Sequence, residues 1–220
     1  MAKASNELKA AVRPRARRQL QNPNPQMRAR LMDAAAELIR EGGLGELRIE
    51  DLARRADVSV GTVYLYFDGK SDLFVQLVRE FTDRLRRRLD EADGGTGPTF
   101  ERLSRRLSAY LDFVGENMAG FLHFRNGGAI DTNVGPLAAW ALDCHAADLQ
   151  PLLQTAIDRG EIAPTDPALL AQALVGVIQH LAAHWGERGS ERSRDEIEKF
   201  LLAFTTLGIN PVDGRAGADG

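Results

Sequence analysis

The chain has 220 residues, 44% of them hydrophobic and 27% charged, with a formal net charge of −3, enough for one large domain or for a small domain joined to a larger one. Its polar, basic N-terminus lacks the apolar stretch of a secretory signal, and no apolar run is expected to reach the ~20 residues that span a bilayer. The single cysteine, Cys144, excludes an intrachain disulfide and fits a reducing compartment, so a cytoplasmic protein without a membrane partner is expected. Charge is unevenly spread: residues 1–90 hold 18 Lys+Arg against 13 Asp+Glu, and residues 91–220 hold 10 against 18. That split points to a nucleic-acid-facing front and a body with another task.

Apolar residues at helical spacing dominate from Met27 to Ile209, and no alternating strand pattern appears. In "MRARLMDAAAELIREGG", Leu31, Ala35, Leu38 and Ile39 share a face, and Gly42 and Gly43 are placed to end the helix. "RIEDLARRA" predicts a second helix over Ile49–Ala56, with Ile49, Leu52, Ala53 and Ala56 inward. After the short link Asp57-Val58, Ser59 is placed to cap a third helix running to Phe67. A longer fourth helix begins near Lys70 and buries Leu73, Phe74, Leu77, Val78, Phe81 and Leu85. "DGGTGP" breaks the pattern, which resumes in five further segments to a total of about nine helices. Pro151 falls inside one of them and predicts a kink or an interruption.

Three short helices with tight turns form a helix-turn-helix. Gly61 leaves the third helix without a side chain where backbone can approach DNA closely, and Val63 and Phe67 point to the core. Thr62 and Tyr64 carry hydroxyls suited to phosphate oxygens. Lys70 stands at a helix N-terminus, where its ammonium adds to free N–H groups and the positive end of the dipole. The stretch "LARRADVSVGTVYLYFDGKSDLF" resembles the N-terminal signature of the TetR/AcrR family of bacterial transcriptional regulators, with the close match running from about Leu31 to Phe74. The resemblance implies phosphate contacts from Thr62, Tyr64 and Lys70, with Ser59 and Gly61 in the same signature, and base-edge contacts from Val60, Leu65 and Tyr66. Neither Val60 nor Leu65 can make a bidentate hydrogen bond, so reading of a thymine methyl or of DNA shape is expected from them.

Two positions depart from the family pattern. Arg48 stands before the second helix where a Thr or Ser cap is common; it cannot accept the capping bond but can reach a phosphate. Asp68-Gly69 replaces the common Pro-Ser, with Asp68 placed to cap the fourth helix. Ahead of the first helix, residues 1–30 hold eight Lys+Arg against one acidic residue, a candidate minor-groove arm or a solvated tail.

The implied organisation is all-α: a basic arm (1–24), a three-helix DNA-binding domain (25–72), a larger helical effector-binding and dimerisation domain (73–210) and a tail (211–220). By resemblance, the last two helices pair with their copies in a homodimer through Leu174, Ile178, Leu181, Ile197, Phe200, Leu201 and Phe204, so that two heads read a near-palindromic operator. The resemblance also implies a small-molecule pocket in the body, for which Phe113, Phe121, His123, Phe124, Trp140 and Trp185 are the aromatic candidates. His123 and Arg125 suit a carboxylate, while Asp131 or Asp143 suits a cation, and the sequence leaves both open. His180, His184 and Glu187 share a helix face at metal-ligand spacing, but histidines at an interface more often satisfy hydrogen bonds, and neither metal nor cofactor is expected. Catalysis is not expected either, because Cys144 and His145 project about 100° apart on a helix and no nucleophile–base spacing or phosphate loop appears. The expected function is a ligand-released repressor, with a regulator that senses no small molecule as the alternative; a cavity of ~300 Å³ or more would favour the sensor.

Overall fold

A computed structural model describes residues 24–126, 134–186 and 191–208. Among them every regular element is a helix: α1 (Pro25–Glu46), α2 (Ile49–Arg55), α3 (Val60–Tyr66), α4 (Lys70–Asp93), α5 (Thr99–Glu116), α6 (Met118–Asn126), α7 (Val134–Asp158), α8 (Pro167–Gly186) and α9 (Arg194–Gly208). Local chemistry explains the starts. Asn24 Oδ1 accepts from the N–H groups of Gln26 and Met27, with Pro25 at the first helical position. Asp166 does the same for Ala168 and Leu169 ahead of Pro167. At α9, Ser193 and Glu196 exchange backbone–side-chain bonds in a capping box.

The first helix is interrupted at Gly43 (φ 81°, ψ 167°), as the glycine pair predicted, and helical turns resume from there to Glu46. Two expectations are corrected in detail. α7 continues through Pro151 as one helix. α8 is long and apolar enough to cross a membrane by length and composition, because Gln172, Gln179, His180 and His184 interrupt its apolar residues without adding a carboxylate, Lys or Arg.

The chain forms two compact units, Met1–Thr82 with Ala119–Ala141, and Asp83–Met118 with Leu142–Gly220. The division therefore falls within α4 rather than at residue 72, and both units are discontinuous in sequence. In the first unit, Leu31, Leu52, Val63, Phe67 and Leu73 are fully buried around one core, which also takes in Leu137. In the second, Leu103, Leu149, Leu152, Leu153, Ala156 and Ile162 pack with Ala171 and Leu174 of α8. Each such large side chain contributes roughly 1.5–3 kcal/mol of burial free energy.

The α4–α5 turn of the second unit is held by arginines. Gly94, Gly95 and Gly97 take positive φ there (67°, 70° and 100°), which L side chains rarely adopt. Arg102 grips Asp93 with two bonds of 2.6 and 2.7 Å, and Arg105 donates to the carbonyls of Asp93 and Thr96. The Asp93 carboxyl lies below its ordinary range, chiefly because of the Arg102 bonds. Its stabilising contribution is complete above about 3.8, the ordinary value, and is lost as pH falls through the lower native value. Arg102→Ala leaves a nearly buried carboxylate without its main partner, and chemical denaturation is expected to show a loss of about 2–4 kcal/mol. A loss below ~1 kcal/mol would put the pair among ordinary surface ion pairs.

Candidate nucleic-acid interface and body cavity

The turn between α2 and α3 sets the reading helix. Asp57 has φ 50°, a left-handed conformation that Asp tolerates better than most residues. Its N–H donates to the Arg54 carbonyl (3.2 Å) and that of Val58 to the Ala53 carbonyl (2.9 Å), which closes α2 in a Schellman arrangement. Val58 packs against the core, as its place in the link predicted. Arg30 braces the turn from α1, donating to the Asp57 carbonyl at 3.4 Å with its guanidinium 3.6 Å from the carboxylate.

α3 then starts on Ser59, whose Oγ accepts from the Thr62 N–H (3.0 Å) and lies 2.9 Å from Thr62 Oγ1. Val63, Tyr66 and Phe67 are buried on one side. Val60, Tyr64 and Leu65 are left on the other, 37%, 54% and 45% exposed. Water-facing apolar groups of this size on one seven-residue helix gain nothing from the protein's own core. Tyr66 is the exception to the predicted reading face: at 8% exposure it belongs to the core cluster, because its place on the helix turns it inward with Val63. A Cβ added at Gly61 would meet only Ser59 Oγ, at 3.6 Å, so folding does not require the glycine.

The basic groups divide into braced and open ones. Lys70 Nζ donates to the Gly45 carbonyl (2.9 Å), which ties α4 to the end of α1 and leaves two ammonium protons. Arg48 has extended backbone (φ −117°, ψ 144°), makes no side-chain cap bond and is exposed, as its chemistry predicted. Arg55 is spent on Glu37 and Glu41, and Arg28 on Gln76 and Glu80. At the start of α4 the Asp72 carboxylate accepts from the Asp68 N–H at 2.9 Å.

The second unit contains a cavity of about 80 Å³ lined by residues of α4, α5, α7, α8 and α9. Leu89, Leu103, Leu107, Leu149, Leu174 and Ile178 supply most of its wall, and Tyr110, His145 and Arg106 its polar part. Among the described residues Tyr110 Oη and His145 Nδ1 are shielded from solvent and have no hydrogen-bond partner. Burial pushes the Tyr110 hydroxyl above its usual range and His145 down to about 4, so the imidazole is neutral at pH 7.

Among the described residues, none of the predicted pocket aromatics Phe113, Phe121, Trp140 and Trp185 lines this cavity. Phe113 is buried beneath the Arg84 guanidinium (6.0 Å to the ring centre), and Trp185 packs close to Gly115. Phe121 and Trp140 belong to the first unit, where Arg79 lies 5.9 Å from the Trp140 ring. Aliphatic side chains build the wall instead, and leucines at helical spacing carry no signal that separates cavity from core. The side chains of His123, Phe124 and Arg125 fall outside the described residues, as do Asp131, Glu187 and nearly all of the basic arm. Asp143, His180 and His184 are exposed. Of the predicted dimer residues, Leu174, Ile197 and Leu201 are buried within the protomer, Ile178 and Leu181 partly so, and Phe200 and Phe204 are 56% and 40% exposed. Leu169, 64% exposed, joins that outer set and was missed by the sequence reading because it sits in the first turn of α8.

Comparison with known proteins agrees with this geometry. Residues 31–77 match the family model for bacterial regulatory proteins of the tetR family. The fatty acid metabolism regulator protein of Bacillus subtilis is 25% identical over 182 residues, 82% of this chain and 94% of its own. A transcriptional repressor, KstR of Mycolicibacterium smegmatis, is 38% identical over 78 residues, 35% of this chain and 38% of its own. Among solved structures, FadR of Bacillus subtilis in complex with stearoyl-CoA shares the fold with a TM-score of 0.72, at 24% identity, covering 83% of this chain and 99% of its own. The capped α3, with its apolar residues turned outward, lies inside the region that matches the tetR-family model, and the fold of the chain is that of solved TetR-family regulators.

Proposed function

We propose that the protein is a homodimeric repressor that leaves a near-palindromic operator when a small-molecule effector enters the body. One observation carries the DNA-reading part: α3 presents Val60, Tyr64 and Leu65 to solvent beside a glycine that the fold does not need. Backbone at Gly61, the hydroxyls of Thr62 and Tyr64, and the cations Lys70 and Arg48 then face phosphates, while Val60 and Leu65 meet base edges. Tyr66 is withdrawn from that set by its burial.

The second copy is supported by the outer faces of the last two helices. Phe200 and Phe204 stack at 6.4 Å between ring centres, exposed, and α8 buries only Ala171, Leu174, Ala182 and Ala183 within the protomer. An apolar face of this extent is covered by a symmetry-related copy at low cost, and the two-fold axis matches two half-sites.

Release rests on the cavity and on α4, which carries Lys70 at its start and the wall residue Leu89 near its end. A ligand that binds the spread state better than the DNA-fitting state shifts the population towards release. The cavity's size favours the second reading, a regulator without an effector, since about 80 Å³ falls well short of the ~300 Å³ expected of a drug-sized pocket.

Gel-shift titration against DNA upstream of the gene tests the reading head. Lys70→Ala is expected to weaken binding and reduce the salt slope by about one, and Tyr64→Phe to weaken it by a few fold. Binding unchanged in both variants would remove these residues from the interface. Gly61→Ala is expected to fold as well as wild type, or up to about 1 kcal/mol better, yet lose operator affinity. Thermal melts and gel shifts on one preparation separate the two effects. For the dimer, sedimentation of Phe200→Glu is expected to give a folded monomer, whereas a dimer of unchanged strength would move the interface elsewhere.

A further inference from the structure

Resting on the effector reading above, we infer that the cavity of the second unit takes a small, uncharged, mainly apolar molecule carrying one hydroxyl or carbonyl group, held between Tyr110 Oη and His145 Nδ1. The body of such a molecule is set by the wall: Leu103, Leu107, Leu149, Leu174 and Ile178 offer only carbon. The polar group is set by the two buried atoms that the protein leaves unpaired among the described residues. A buried hydroxyl without a partner is costly, so a ligand that satisfies it recovers that cost on binding. The Tyr110 hydroxyl is a donor, and a neutral imidazole offers an acceptor or a donor according to its tautomer. One ligand hydroxyl can therefore accept from Tyr110 and donate to His145.

Neutrality follows from how the lining charge is used. Among the described residues Arg106 is the one formally charged residue in the wall, and it already lies 3.1 Å from Asp90 and 3.6 Å from Asp93. A carboxylate in the cavity would meet no uncompensated cation, and an ammonium no uncompensated anion. Burial also keeps His145 from supplying a positive charge near neutral pH. Size follows from the volume: about 80 Å³ holds a molecule on the order of a single ring. Phe100, which is 46% exposed and lines the same cavity, marks where such a molecule enters.

Four probes of one size separate the possibilities: phenol, toluene, benzoate and benzylamine, titrated by calorimetry into the full-length protein without DNA at pH 7.5. Phenol is expected to bind about tenfold more tightly than each of the others, the equivalent of one good hydrogen bond. In Tyr110→Phe that advantage over toluene should disappear with toluene itself unchanged, while the unliganded protein melts at the same temperature or higher, because an unpaired hydroxyl has been removed. His145→Leu should reduce phenol binding in the same direction. Benzoate or benzylamine binding as well as phenol, phenol binding untouched in Tyr110→Phe, or no binding by any probe would each overturn the assignment. Release is measured separately, by fluorescence anisotropy of labelled upstream DNA. If phenol binds and the DNA stays bound, the cavity chemistry stands and the release reading falls. If stearoyl-CoA frees the DNA while phenol does not bind, the release reading stands and the cavity chemistry falls.

Discussion

Helix α3 has seven residues, too few to persist in water without support. Its geometry depends on burying Val63, Tyr66 and Phe67 against α1, α2 and the start of α4. That single constraint fixes everything the head can present. Once those side chains point inward, the helical period turns Val60, Tyr64 and Leu65 outward, and the Ser59 hydroxyl accepts from the otherwise free Thr62 N–H of the first turn. Loosening the core at Val63 or Phe67 would therefore alter DNA recognition without touching one exposed atom.

The same constraint explains why the head was legible in the sequence and the body much less so. Ser59 and the Asp57-Val58 link are chemically specialised residues at fixed spacing, and each does in the structure what its chemistry predicts. Tyr66 was misplaced because an amphipathic tyrosine suits either face, and only the packing of its ring decides. In the body, the aromatic residues attracted attention while the cavity is built from leucines, Tyr110 and His145. Leucines repeat at the same period whether they close a core or line a space, so periodicity cannot tell the two apart. The dimer candidates could not be ranked from sequence for a related reason: a helix that is apolar nearly all round does not reveal which stripe its own protomer covers. Leu174 and Leu201 are covered; Leu169 and Phe200 are not.

Charge in the second unit follows a consistent arrangement. Arg86 with Asp148, Arg88 with Glu116, Arg102 with Asp93 and Arg194 with Asp112 and Glu198 join helices through forked, short contacts. Such pairs add modest stability when exposed and more when shielded. Their second effect is on the interior: with the cations engaged by carboxylates, the cavity is left electrically quiet, and its selectivity falls to shape and two hydrogen-bonding atoms.

That quietness bears on how much work an effector can do. A ring-sized ligand is limited to roughly 1.5 kcal/mol per heavy atom at the very best. Allosteric coupling typically needs 1–3 kcal/mol of difference between two states, a fraction of what seven or eight atoms can supply. The requirement is therefore differential contact, not tight binding. Under the proposed release α4 is the element concerned, since it carries both Leu89 of the cavity wall and Lys70, which donates to the Gly45 carbonyl.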